Sequence, residues 1–195
     1  MWGEIEAPLV GRVVVVEPLA ERHADGLWAA AQSAEIFSWM PYDVGADRET
    51  FRSWLVDAIE GPHVSFAVLD GDGTPIGSTR YLSLRPEHRG LEIGWTWLTP
   101  ARWRSGANAE TKLLLLEHAF QRLDCIRVEF KTDARNERSR RALEALPAQF
   151  EGIFRKHMLV RGGELRDSAY YAIVDDDWPE VRANLERRLS VRPRE

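Results

Sequence analysis

The sequence contains a single cysteine, Cys125, among 195 residues. An intramolecular disulfide is therefore excluded, and a reducing compartment, the cytoplasm, is the expected setting. No apolar run approaches the roughly 20 residues that span a bilayer, and the N-terminus carries no basic-then-apolar leader, so no membrane partner is expected. Positive charge is not in excess either: 26 Lys and Arg face 31 Asp and Glu, a formal net charge of −5. That balance argues against a nucleic-acid partner and leaves room only for a small anion held by a few local arginines. The histidines His23, His63, His88, His118 and His157 have no metal-ligand spacing among themselves or with Cys125, so no metal is expected. Repeats, low-complexity tracts and Gly/Ser linkers are missing too, and residues 1–195 read as one continuous domain. What is present is an ordinary globular balance, 44% hydrophobic and 29% charged, with one oddity: eight tryptophans.

Hydrophobic periodicity supplies the elements. The runs 12–17, 64–69, 75–84, 91–98, 125–132, 150–159 and 167–175 read as seven strands. Amphipathic spacing predicts helices over 20–34, 47–59 (capped by Asp47), 108–123, a short one capped by Asn136 and ending before Pro147, and 178–189 capped by Asp177. A strand–helix–strand passage through residues 91–132 demands a parallel, right-handed crossover, whereas the turn at Asp70-Gly71-Asp72-Gly73 joins an antiparallel pair. The fold class is α/β with a mixed sheet. Strict alternation in LEIGWTWL (91–98) places Leu91, Ile93, Trp95 and Trp97 on one face and Glu92, Gly94, Thr96 and Leu98 on the other. Gly94, in mid-strand, marks a bulge or a close backbone approach.

Two segments carry chemistry. Residues 98–112 end a strand, turn through Arg102, Trp103, Arg104, Ser105, Gly106, Ala107 and Asn108, and begin a helix. Backbone N–H groups at a helix N-terminus, with two arginines beside them, suit a pyrophosphate; the same loop also suits an ordinary strand–helix connection with solvated arginines. In the second segment, TDARNERSRRAL (132–143), Asn136 caps a helix and Ser139 falls on its inward stripe, where a hydroxyl needs a partner or has a task. Glu92 is the one carboxylate on a mid-sheet strand of apolar and small residues. Desolvation there would raise its pKa toward that of a working base, unless an arginine such as Arg80 pairs with it. His157 is a weaker base candidate, and Cys125 reads as a small buried hydrophobe.

These residues resemble a known family. LEIGWTWL, the helix NAETKLLLLEHAF (108–120), CIRVEFKTDARNERSRRALEAL (125–146) and the ending from Arg166 to Pro179 are similar to the Gcn5-related N-acetyltransferase (GNAT) superfamily, and within it to the branch of ribosomal-protein-alanine N-acetyltransferases (RimJ/RimL type). The resemblance implies a mostly antiparallel sheet of about seven strands with a splayed central parallel pair, flanked by helices. It implies acetyl-CoA as cofactor, lying between the strands at 91–98 and 125–132. The pantetheine would meet main-chain groups of Trp97, Leu98 and Thr99, the pyrophosphate the loop 102–108, and Asn136 and Ser139 would face the pantetheine and thiol. Trp39, Met40 and Tyr42 match the branch's substrate-side loop.

The sequence departs from the family at the cradle, where Ala101 and Arg104 replace the usual Gln/Arg and middle glycine. It departs again at Leu146-Pro147, where the family has Leu-Gly, so a different turn is expected. The implied activity is direct acetyl transfer to a primary amine, a protein or peptide N-terminus ahead of a polyamine, amino acid or antibiotic. Glu92 would be the base, Ser139 the acid, and a main-chain N–H near Leu98 the oxyanion donor. A non-catalytic acyl-CoA-binding module is the alternative from another class, and the sequence leaves a homodimer open.

Overall fold

The computed structural model describes residues 2–190. One eight-stranded sheet organises the chain. Its strands are β1 (Leu9–Val10), β2 (Val14–Pro18), β3 (Val64–Asp70), β4 (Pro75–Arg85), β5 (Gly90–Leu98), β6 (Arg127–Asp133), β7 (Gln149–Leu159) and β8 (Leu165–Val174), in the order β1-β2-β3-β4-β5-β6-β8-β7. The eighth strand, beyond the seven expected, is β1, whose two residues are too few to leave a periodic signal. All neighbours are antiparallel except β5 and β6, which run parallel and pair only through Gly90–Glu92 and Arg127–Glu129. Beyond Glu92 these two strands have no rungs, while β8 pairs with β6 along its whole other edge, Arg127–Asp133. The splay expected from the family resemblance is thus present.

Five helices cover the two faces: α1 (Ala24–Ala30), α2 (Arg48–Glu60), α3 (Ala107–Glu117), α4 (Glu137–Glu144) and α5 (Trp178–Ser190). Leu27, Phe51, Trp54 and Leu55 of α1 and α2 pack with Ala67, Leu69 and Trp97 on one face. Leu115 and Leu116 of α3, Leu143 of α4 and Val181 and Leu185 of α5 pack with Leu91, Ile93, Val128 and Phe130 on the other. Asp47 caps α2 as expected, accepting from the Thr50 N–H at 2.7 Å. No Asp177 cap forms: Asp175–Asp177 make a 3-10 turn that leads into α5. The buried carboxylate of Glu110 in α3 accepts the N–H groups of Arg12, Val13 and Val14 at 3.0, 2.5 and 2.7 Å, pinning the edge hairpin to the helix. The turn at Leu146-Pro147 is closed by the Ala148 N–H, which donates to the Leu143 carbonyl at 3.1 Å.

The strict alternation expected along β5 fails. Ser78 pairs with Trp97 and Arg80 with Gly94, so Thr79 alone opposes both Trp95 and Thr96. This is a bulge, and Trp95 takes φ +49° within it. The extra residue exchanges the faces. Leu91 and Ile93 lie on the α3 side, but after the bulge it is Leu98 that does, while Trp95 and Trp97 join the α1–α2 side, the face of Glu92. The bulge falls one residue after Gly94. Gly94 itself is a close-approach position, because a Cβ there would stand 2.8 Å from Leu82 Cδ1 and 3.0 Å from Glu92 Oε1.

Candidate active site

The site is the gap that opens where β5 and β6 stop pairing. On its α1–α2 side stands Glu92, only 3% exposed, with Oε2 3.0 Å from Lys131 Nζ and 3.3 Å from the Ser83 hydroxyl. Lys131, two residues beyond the last β6 rung, thus clamps the carboxylate across the foot of the splay. The expected arginine partner is elsewhere: Arg80 bonds Asp57 and His63, each at 2.8 Å, beneath the Trp54 and Trp95 rings. Tyr170 and His157 complete this wall, 3.2 Å apart through Tyr170 Oη and His157 Nε2, with His157 Nδ1 3.0 Å from the Ser168 hydroxyl. Burial, then the Glu92 and Glu129 carboxylates, raise the Tyr170 pKa; burial, then Lys131 and Arg166, lower that of His157. With both ring nitrogens engaged, His157 is a held histidine. Cys125 is 2% exposed, and burial pushes its thiol up to about 12, an inert hydrophobe as expected.

On the other side lies the loop that enters α3. Thr99 N–H donates to the Ile76 carbonyl at 2.8 Å, so strand alternation turns the N–H and C=O of Leu98 toward the gap. The Leu98 carbonyl is taken by the Trp103 indole N–H at 2.9 Å, which leaves its N–H on the open edge. Arg104 adopts φ +63° and Gly106 φ +90°, so arginine keeps the left-handed turn for which the family pattern has glycine. Ser105 folds back, its hydroxyl donating to the Arg102 carbonyl at 2.7 Å and accepting from the Ala107 N–H at 3.3 Å. No side chain caps α3, and the next N–H groups, of Asn108 and Ala109, face outward. Arg104 makes no ion pair with the described residues. Arg102 does: it is bonded to Asp70 in the β3–β4 turn, so it is not the open cation expected. Arg138 of α4 stands nearby, its guanidinium 4.2 Å above the Trp103 ring and Nη1 3.7 Å from the Glu35 carboxylate.

Asn136 caps α4, its Oδ1 accepting from the Ser139 N–H at 3.0 Å. The Ser139 hydroxyl, half-buried, has no hydrogen-bond partner among the described residues. Trp39 and Met40, of the loop expected on the substrate side, line a cavity of about 230 Å³ with Ser38, Asp133, Arg135 and the 160–164 loop. Tyr42 is not in its wall; it packs on Trp95 at 5.5 Å. The Arg161 guanidinium ties the loops together by donating to the Phe37 carbonyl at 3.1 Å.

This geometry agrees with the comparisons. Residues 13–149 match the family described as the acetyltransferase (GNAT) domain. The chain belongs to the GNAT family. A curated relative, the uncharacterised N-acetyltransferase YnaD of Bacillus subtilis (strain 168), is 28% identical over 111 residues, 57% of this chain and 64% of its own length. The chain thus spans less than two thirds of that relative. A GCN5-related N-acetyltransferase from Brucella melitensis superposes with a TM-score of 0.90 at 32% identity, covering 95% of this chain and 86% of its own. Mycobacterium smegmatis RimJ in complex with CoA-disulfide superposes at 0.75 and 22% identity, covering 93% and 92%, a likeness of fold. The RimJ/RimL branch itself rests on the sequence resemblance alone.

Within this GNAT domain, sequence reasoning missed three residues at the gap: Lys131, Arg138 and Lys112. Lys131 shares a strand face with Arg127 and Glu129 and carried no motif. Arg138 sat in view beside Ser139, but only tertiary packing brings it over Trp103. Lys112 stands in a helix of leucines, and a lone lysine on a buried helix face was the available signal.

Proposed function

We propose that the protein transfers an acetyl group from acetyl-CoA directly to a primary amine. The observation that carries this reading is the gap itself: a sheet opened beyond Glu92, with a buried carboxylate on one face and an uncapped helix N-terminus on the other. The residues fit coenzyme A. The Asn108 and Ala109 N–H groups and the exposed Arg104 suit phosphate, with Arg138 and Trp103 beside them, and the Leu98 N–H is an unpaired donor on the open strand edge. Bound acetyl-CoA supplies an acyl thioester.

The chain's own groups do the rest. Glu92 accepts the amine's proton at its carboxylate, and Lys131 and Ser83 hold that carboxylate in one orientation. The Leu98 N–H stabilises negative charge developing on the acyl oxygen. Asn136 fixes the start of α4 and so the position of Ser139, whose free hydroxyl faces the cofactor. Among acceptors, a peptide N-terminus suits the cavity at Trp39 and Met40, because the Asp133 and Glu164 carboxylates, both held by ion pairs to Arg135, flank it and an incoming ammonium would share them with that guanidinium. Thiol release is to be measured across N-terminal peptides, polyamines, amino acids and aminoglycosides. Peptide-dependent release supports the reading; turnover confined to a small amine replaces the acceptor, and acetyl-CoA binding with no turnover on any amine reduces the protein to a binding module.

A further inference from the structure

Lys112 is a buried charged group at the gap to which the mechanism above gives no task. It lies in the second turn of α3, 9% exposed, with Nζ 3.0 Å from the Thr96 hydroxyl and 5.3 Å from the centre of the Phe130 ring. Thr96 belongs to β5 beyond the bulge, and Phe130 to β6 beyond the last rung. The ammonium therefore sits between the splayed strands, on the α3 face, opposite Glu92 across the sheet.

Its surroundings do not satisfy it. Of three N–H donors one is used, and the accepting Thr96 hydroxyl is already shared with Thr79 at 2.8 Å. No carboxylate pairs with it among the described residues. Burial alone pushes its pKa down to about 7, with no charged group on α3, β4, β5 or β6 opposing the shift. Glu110, two residues earlier on the same helix, has three backbone N–H partners. A methionine would fill the space of Lys112 without the cost of burying a charge. An under-coordinated ammonium at this place points to an anion that arrives with a ligand.

We propose that Lys112 binds the sulfur of coenzyme A, holding it as thiolate when the acyl group leaves. This inference rests on the acetyltransferase reading. The C–N bond forms as the C–S bond breaks, the acceptor ammonium gives up one proton to Glu92 and a second to solvent, and the sulfur leaves as a thiolate paired with the Lys112 ammonium, to be protonated by solvent on release. Ser139, a neutral hydroxyl on α4, then positions the cofactor rather than protonating it. The division places one titratable group on each face of the sheet, Glu92 for the incoming amine and Lys112 for the departing sulfur.

The test compares binding of CoA and of desulfo-CoA, which lacks the sulfur, by calorimetry at pH 7.5 to the full chain and to Lys112→Met. Wild type is expected to favour CoA by about tenfold, equivalent to about 1.4 kcal/mol. Lys112→Met is expected to lose that preference while binding desulfo-CoA as wild type does. A preference retained in Lys112→Met, or absent from wild type, overturns the proposal. If Lys112→Met does not fold, the ultraviolet thiolate absorbance of CoA bound to wild type decides. A thiol titrating well below about 8.5, the value of an ordinary cysteine thiol, supports the contact, and an unshifted one overturns it. Equal binding of both ligands to wild type removes only this inference, whereas binding of neither removes the acetyltransferase reading as well.

Discussion

The two faces of the sheet meet the same gap with different electrostatics. On the α1–α2 face Glu92 pairs with Lys131 and Arg80 with Asp57, although Arg80 Nε and Nη2 have no partner among the described residues. On the α3 face Glu110 is saturated by three backbone donors, yet Lys112, one residue beyond its neighbour Thr111, has a single shared hydroxyl. Glu110 and Lys112 are both buried, and they differ in how far they are satisfied. A saturated charge such as Glu110 holds structure together, because its removal leaves donors stranded. An unsaturated one such as Lys112 weakens the fold and is explained by what it meets on binding. Glu92 lies between the two cases, paired but by a half-exposed partner that an incoming ammonium can displace.

The largest effect separating these cases is expected at Glu92. Glu92→Gln should lower the turnover rate by roughly 10²–10⁴, the usual contribution of a positioned base, with CoA affinity unchanged by calorimetry. Wild-type turnover would leave Glu92 a structural partner of Lys131 only. Next comes Glu110→Ala, which strands three N–H groups and should cost about 3 kcal/mol in denaturant unfolding. A loss below about 1 kcal/mol would break the contrast drawn between Glu110 and Lys112.

Lys112→Met tests the other half of that contrast through pH. The folded-state pKa of about 7 lies below the ordinary 10.5, so the unfolded chain binds the extra proton between these values and wild-type stability rises with pH from 7. From 9 upward the buried Cys125 thiol, raised to about 12, acts in the opposite direction. Thermal unfolding midpoints should therefore climb from pH 7 to 9 in wild type and stay flat in Lys112→Met, which should also be the more stable protein at pH 7. Smallest is Gly94→Ala. The new methyl would press on the Glu92 carboxylate and on the end of Leu82, and a fall of about tenfold in turnover with little change in melting temperature is expected. A change confined to stability would detach Gly94 from the site.

Much of this was legible from local patterns. Asp47 and Asn136 announced their helices because an N-cap is decided within four residues. Cys125 read as inert because no neighbour in sequence could activate it. The motif at 132–143 located Asn136 and Ser139, and the two loops around Trp39 and residues 160–164 do meet. Reading failed where a contact depended on distant chain. Arg102 looked open in a loop with two arginines, but Asp70, thirty-two residues away, occupies it. Trp95 and Trp97 were assigned to the wrong face since period-two alternation assumes an unbroken ladder, and one extra residue opposite Thr79 reverses it. Of the eight tryptophans, Trp39 still stands at the entrance, whereas Trp103 buttresses the Leu98 carbonyl.

The sequence by itself determined the elements, their order, and the two helix starts that face the gap, since propensity, periodicity and capping act over a few residues. Tertiary structure alone decided which charges are satisfied. Lys131 reaches Glu92, and Lys112 is left with one shared hydroxyl, because β5 pairs with β6 over only three parallel rungs while β8 pairs along the whole opposite edge of β6. How far two strands pair is settled by the whole sheet, so no stretch of sequence contains it.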